Sequence, residues 1–249
     1  IPLREENEFS FCAQELLSLI TPRTRLIILN SPANPTGGVT PREEIDKLVA
    51  GLMEHPQVAL LSDEIYSQML YHGQEHVSLL QYPEIRDRLI LLDGWSKTYA
   101  MTGWRVGWMV VPQDHVRTVE RLAQNLFICP PHASQVAALA ALDCIDEAEA
   151  NLAVYSENRR LMLEALPKAG FARIAPPEGA FYVYADVSEL TPDSRAFAAE
   201  ILDRAGVAVT PGLDFDPQRG ARTLRFSYAR STADIAEGLR RLERFMAQR

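Results

Sequence analysis

Only three cysteines occur in 249 residues, Cys12, Cys129 and Cys144. They are odd in number and widely spaced. Neither a disulfide framework nor a zinc-ligand pattern follows, and a reducing compartment, the cytoplasm, is the expectation. Basic residues are outnumbered: 25 Lys and Arg stand against 33 Asp and Glu, a net charge of −8. A chain of that sign without a basic tract is a poor match for nucleic acid. No apolar run approaches the roughly 18–20 residues that a bilayer-spanning helix needs, so no membrane partner is expected. Residues 1–8 are charged and lack the apolar stretch of a secretory signal, so none is expected there. The chain opens on Ile1-Pro2 rather than methionine, which fits a fragment or a processed product. There is no internal repeat, and no G-x-G-x-x-G follows an apolar run, so a dinucleotide site has no support. His72 and His76 are four apart, but Gly73 disfavours a helix between them. They read as loop residues, and no metal site is expected.

What is present is enough apolar material for a sizeable core: 47% of residues are hydrophobic. The length suits one large or two modest domains. Residues 26–30, 58–61, 89–92 and 106–111 are short, continuously apolar runs. They are expected to be buried strands of a parallel sheet covered on both faces. Helical patterns fall between and after them. Thr40-Pro41-Arg42-Glu43 reads as a capping box with proline at the first helical position, followed by Ile45, Leu48, Val49, Leu52 and Met53 at helical spacing. Val116, Val119, Leu122 and Leu126 mark another helix, and 133–142 an alanine-rich buried one. This alternation predicts an α/β fold, a mostly parallel sheet flanked by helices, over residues 1–148. The texture then changes. A long helix over about 149–168, strands at 181–187, 207–210 and 223–228, a helix around Phe197 and a last helix with Ile235, Leu239, Leu242 and Met246 on one face predict a smaller α+β domain over 149–249.

Polar clusters follow the predicted strands, where open α/β sheets bind ligands. After the first comes Ser31-Pro32-Ala33-Asn34-Pro35-Thr36-Gly37-Gly38. After the second comes Ser62-Asp63-Glu64-Ile65-Tyr66, and after the third Asp93-Gly94-Trp95-Ser96-Lys97-Thr98. A lysine in a low-dielectric cleft near cations loses proton affinity and becomes a nucleophilic amine, which condenses with aldehydes. Arg105 and Ser96 together suit a phosphate, since a guanidinium grips oxyanions as a fork. Asp63, if buried, needs a cation, and a protonated pyridine nitrogen is one candidate. Tyr66 and Asn34 have the chemistry to hydrogen-bond a phenolate oxygen. Each residue alone has a bland explanation. Jointly they describe a pocket for a phosphorylated pyridine aldehyde. Trp95, Trp104 and Trp108 bracket the lysine and are expected to pack behind the site.

The set Asn34-Pro35-Thr36-Gly37, Asp63-x-x-Tyr66, the run from Ser96 through Lys97 to Gly103-Trp104-Arg105, and Arg225 resembles the class I/II, fold type I, pyridoxal-5′-phosphate-dependent aminotransferases, in their prokaryote-type aspartate and aromatic branch. The resemblance runs through essentially the whole chain. It implies that Lys97 is the catalytic residue of a ping-pong aldimine mechanism moving an α-amino group between an L-amino acid and a 2-oxo acid. It implies that Asp63 pairs with the cofactor's pyridinium, that Tyr66 and Asn34 bond its ring oxygen, and that Arg105 and Ser96 hold its phosphate. Arg225 and the Asn34 amide would take the substrate carboxylate, and the Asn34–Pro35 bond would be cis. It also implies a homodimer when full length. An earlier section of the family pattern, with a phosphate turn and a ring stacked on the cofactor, is absent. Phe215-Asp216-Pro217-Gln218 also departs from it, since a glycine usually follows the phenylalanine. The same cofactor contacts would serve a β-eliminating lyase or the effector domain of a cofactor-binding transcriptional regulator.

Overall fold

The computed structural model describes residues 1–249. It divides into one unit of residues 1–4, 10–32 and 39–149, and a second of residues 5–9, 33–38 and 150–249.

In the first unit the apolar runs form β1 (Leu26–Asn30), β2 (Ala59–Asp63), β3 (Leu89–Gly94) and β4 (Gly107–Val110), hydrogen-bonded in that order. The first three are parallel. Their register sets Asn30 beside Asp63 and Asp63 beside Leu92, so the carboxyl ends of three strands share one edge. Two short helices, α1 (Ala13–Ser18) and α2 (Arg42–Leu52), cover one face. Ile45, Leu48, Val49 and Leu52 lie on a single side of α2. They pack with Leu29, Leu60 and Leu89 of the strands and Ala13 and Leu16 of α1. Fully burying each such side chain is worth about 1.5–3 kcal/mol. Glu44 links the two helices: its Oε2 accepts the Ala13 N–H at 2.7 Å, one of the donors that a helix start leaves unpaired.

Several expectations need correction here. β4 runs antiparallel to β3, and all four of its residues are exposed. The chain between them is a tight loop with no crossover helix, and a parallel return needs such a crossover. β1 is covered on one face only, with Ile28 67% exposed. The capping box does not form. Pro41 is the N-cap of α2 without a side-chain bond, while the Thr40 N–H goes to Ser31 Oγ at 2.9 Å. Helices α3 (Gln113–Leu126) and α4 (His132–Ala141) form where expected, but α3 buries none of its residues and α4 only Ser134 and Ala138.

Helix α5 (Ile145–Lys168) carries the chain into the second unit. There β5 (Arg173–Ile174), β6 (Tyr182–Asp186), β7 (Thr210–Pro211) and β8 (Thr223–Ser227) form an antiparallel sheet in the order β5-β6-β8-β7. The strand expected over 207–210 pairs only at its end. Helix α6 (Ser194–Ala205) starts where Asp193 Oδ1 accepts the Arg195 and Ala196 N–H groups. It ends at Gly206 in the left-handed conformation, φ 66°. Helix α7 (Thr232–Ala247) is capped by Ser231. Its apolar face is Ile235, Leu239, Leu242 and Phe245. Phe245, not the expected Met246, completes the buried face and meets Phe197, whose ring stacks on Phe171, which in turn meets Phe226 edge-on.

Candidate active site

Asp63 ends β2 and is about half-buried. Asn30 Nδ2 steadies the Asp63 backbone by donating to its carbonyl oxygen at 3.1 Å, and Asp63 Oδ1 accepts the Ile65 N–H at 3.3 Å. Burial pushes the carboxyl above its ordinary range. The Ile65 N–H and the charge of Lys97 pull it partly back. Tyr66, 3% exposed, follows in a turn closed by the Ser67 N–H on Glu64 O. The Lys97 Nζ stands 5.6 Å from the centre of the Tyr66 ring.

Lys97 sits just past β3, in a loop that doubles back. The Met101 N–H reaches Trp95 O, Thr102 Oγ1 donates to Ser96 O at 2.8 Å, and Arg105 NH1 donates to Thr102 O at 2.9 Å. Ala100 and Arg105 take positive φ values of 53° and 55° to make the reversal. This chain of bonds brings Arg105, exposed, to the Ser96 end of the loop. Where the loop leaves the sheet, Gly94 faces Gly107. A Cβ on Gly94 would meet the Gly107 Cα at 2.8 Å, so only glycine lets β3 and β4 approach so closely. Of the three tryptophans, Trp95 is half-buried, and Trp104 and Trp108 are exposed.

In the second unit, Asn34 and Arg225 meet although 191 positions separate them: Arg225 NH1 donates to Asn34 Oδ1 at 2.7 Å. Arg225 lies on β8, between β6 and β7 rather than at an edge. Its NH2 donates to Thr210 Oγ1 at 3.3 Å. The guanidinium lies 4.4 Å from the Tyr182 ring centre and 4.7 Å from that of Phe215. Both aromatic contacts hold the fork flat. Phe215 reaches it even though Asp216 stands where a glycine was expected. Asp216 builds the turn itself, accepting the Gln218 and Arg219 N–H groups. The Asn34–Pro35 bond is cis, as expected, and so is Ser31–Pro32. The loop holding Asn34 is fastened at Gly37, whose carbonyl accepts the Glu178 and Gly179 N–H groups. Arg159 braces that turn through Pro177 O at 2.6 Å and Glu178 Oε1 at 3.2 Å.

The seven residues singled out in the sequence thus fall into two groups. Asp63, Tyr66, Ser96, Lys97 and Arg105 belong to one unit, and Asn34 and Arg225 to the other. The sequence reading passed over Glu64. It is 4% exposed and accepts from Ser62 Oγ at 2.9 Å and the Leu79 N–H at 3.0 Å, with the His76 Nε2 2.8 Å from its second oxygen. Burial works to raise its carboxyl, but the bonds from His76 and Ser78 hold it below the usual range.

The Aminotransferase class I and II family model matches residues 1–242, and the chain belongs to that family. It is 43% identical over 244 residues to a valine–pyruvate aminotransferase of Mycobacterium tuberculosis, covering 97% of this chain and 62% of the relative. An arginine–pyruvate transaminase of Pseudomonas aeruginosa is 38% identical over 97% of this chain and 61% of its own length. A solved structure from Silicibacter pomeroyi superimposes with a TM-score of 0.89 at 58% identity, covering 100% of this chain and 65% of that one. The chain therefore spans less than two thirds of the curated relatives it matches. Its fold is the family's fold type I, α/β with a mostly parallel sheet, and the family's cofactor is pyridoxal 5′-phosphate.

The donor set of the first unit fits that group. A half-buried carboxylate held above its ordinary range gains from a cation set against it, and a protonated pyridine nitrogen is such a cation. An amine lies near by on the tyrosine side, and a hydroxyl and a guanidinium share one loop.

Proposed function

We propose that the protein is an aminotransferase that moves an α-amino group between an L-amino acid and a 2-oxo acid. The observation that carries this reading is the gathering of Asp63, Tyr66 and Lys97 past the carboxyl ends of parallel β2 and β3. When bound, pyridoxal 5′-phosphate supplies an electron-accepting ring that takes up the charge left when a proton leaves the amino acid's Cα. Asp63 keeps the ring nitrogen protonated, because a buried carboxylate and a pyridinium stabilise each other. Tyr66 donates its hydroxyl hydrogen to the ring oxygen, with Asn34 as a second donor. Ser96 and Arg105 hold the phosphate, the guanidinium by its fork of N–H groups. Lys97 would tether the cofactor by its amine and, once an incoming amino group had displaced it, would serve as the base that carries a proton on Nζ. Arg225 and Asn34 would hold the substrate carboxylate flat, the guanidinium by its fork of N–H groups.

Pyruvate appears in the names of both curated relatives described above, which supports it as the acceptor. A homodimer is supported by the uncovered apolar side chains of the first unit, Phe127, Ile128 and Leu139 among them. The three unpaired cysteines support a cytoplasmic setting. No helix is long and apolar enough to cross a membrane.

The test is borohydride trapping of the cofactor on the holoprotein, followed by peptide mapping. Label on Lys97 is expected, and label on another lysine overturns the assignment. Alanine formed from pyruvate and a donor amino acid separates transfer from elimination, which releases ammonia without an acceptor.

A further inference from the structure

Glu64 adjoins Asp63, yet it has no place in the chemistry described above. Its side chain is 6% exposed. Side chains alternate along extended chain, so Ser62 and Glu64, the residue just past β2, point to one side and Asp63 to the other. The bond from Ser62 Oγ to Glu64 Oε1 shows that shared side directly. The Glu64 backbone is fixed as well. Its N–H donates to Leu92 O at 2.9 Å, and its carbonyl accepts the Ser67 N–H at 2.8 Å, closing the turn that contains Tyr66.

We propose that Glu64 is the positioning residue of the cofactor site, a buried anchor that fixes the directions of Asp63 and Tyr66 through its bonds to Ser62, His76 and the Leu79 N–H. The proposal rests on the cofactor reading above. The donors come from β2 itself and from residues 76, 78 and 79 of the long connection to β3, so one carboxylate ties that connection to the strand end. With both oxygens engaged, the carboxylate cannot turn toward the ligand side, and residues 63 and 66 leave the anchor in set directions. The neighbouring Ser67 adds a weaker tie, Oγ to Asp93 Oδ2 at 3.5 Å, to the strand that leads to Lys97. A buried carboxylate is kept only where its oxygens are met by donors, which is the arrangement here. Glu64 touches neither substrate nor cofactor in this role.

The experiment uses the full chain, stripped of cofactor and reconstituted with pyridoxal 5′-phosphate. Wild type, Glu64→Ala, Glu64→Gln and Ser62→Ala are compared by cofactor Kd, by the circular dichroism induced in the cofactor's visible band, and by the Tm of the cofactor-free protein. Induced dichroism reports how the ring is held, and a merely structural role would leave it unchanged. Glu64→Ala is expected to raise Kd at least tenfold and lose at least half of the visible dichroism. Glu64→Gln keeps an acceptor for Ser62 and Leu79 and a donor for the His76 ring, so it is expected to return Kd to within about threefold of wild type. Ser62→Ala removes one of these donors and is expected to raise Kd two- to fivefold. Unchanged Kd and dichroism in both Glu64→Ala and Ser62→Ala overturn the proposal, even if Tm falls. If Glu64→Ala does not fold, Ser62→Ala alone decides on the same readouts. Wild type that takes up no cofactor overturns the underlying reading, and the proposal with it.

Discussion

Arg225 and Asn34 are joined by a hydrogen bond of 2.7 Å across 191 positions of chain, and two aromatic rings hold the arginine flat. The Arg225 Nε is buried and has no hydrogen-bond partner. A guanidinium so constrained offers a fixed fork, which lysine cannot copy. Arg225→Lys is therefore expected to raise KM for the amino acid by about 10- to 100-fold, the equivalent of a charged hydrogen bond of roughly 1.5–3 kcal/mol. The visible spectrum of the bound cofactor should not change. Half-reaction kinetics check the first statement and absorbance the second. Loss of the cofactor in this variant would contradict the assignment.

Asp63 makes a prediction with opposite signs in the two forms of the protein. Burial raises its carboxyl above the ordinary range, so the folded chain binds that proton more tightly than the unfolded chain does. Stability then falls as pH rises through the carboxylate range, because the charged form is the penalised one. Asp63→Asn removes the charge. In the cofactor-free protein it should raise Tm at pH 7 by on the order of 2 °C. The gain should vanish near pH 3, where the wild-type carboxyl is protonated in both states. In the holoprotein the same change removes the pyridinium's partner and should lower kcat by about 10²–10³, the usual scale for one aligned electrostatic contact. Melting curves at the two pH values and steady-state rates are the measurements. A lower Tm at pH 7 in the cofactor-free variant would refute the burial argument.

What the sequence disclosed was largely what depends on neighbours in the chain. The apolar runs before Asn34, Asp63 and Lys97 placed those residues at strand ends, because a continuous run bounded by polar residues has few other readings. The strand 107–110 read as buried for the same reason. Gly-Trp-Met-Val is equally apolar whether covered or bare, and its direction depends on the loop before it, not on its own residues. Glu64 stayed hidden because a glutamate beside an aspartate ordinarily faces solvent. Its burial is decided by donors up to 15 positions away. Helix α1, six residues long, is shorter than two turns and leaves no periodic trace. The Thr40 capping box failed through a tertiary competitor, the Ser31 hydroxyl.

The loop that presents Asn34 supplies the last prediction. Gly37 has φ 71°, a left-handed conformation that costs a residue with a Cβ about 1–2 kcal/mol. A Cβ there would also overlap the Pro177 ring, in the turn that Arg159 braces. Gly37→Ala therefore has to push the loop off that turn, weakening the bonds from the Glu178 and Gly179 N–H groups. The expected loss is on the order of 2 kcal/mol, a fall in Tm of about 4–8 °C at this chain length. Since Asn34 shares the loop, bonds Arg225 and is the second donor proposed for the cofactor's ring oxygen, the displacement should also raise KM for the amino acid and raise the cofactor Kd a few-fold. Thermal melts, substrate titration and cofactor titration on the same preparation separate these effects. An unchanged KM beside a lowered Tm would show that the Asn34–Arg225 pair keeps its geometry without the Gly37 fastening.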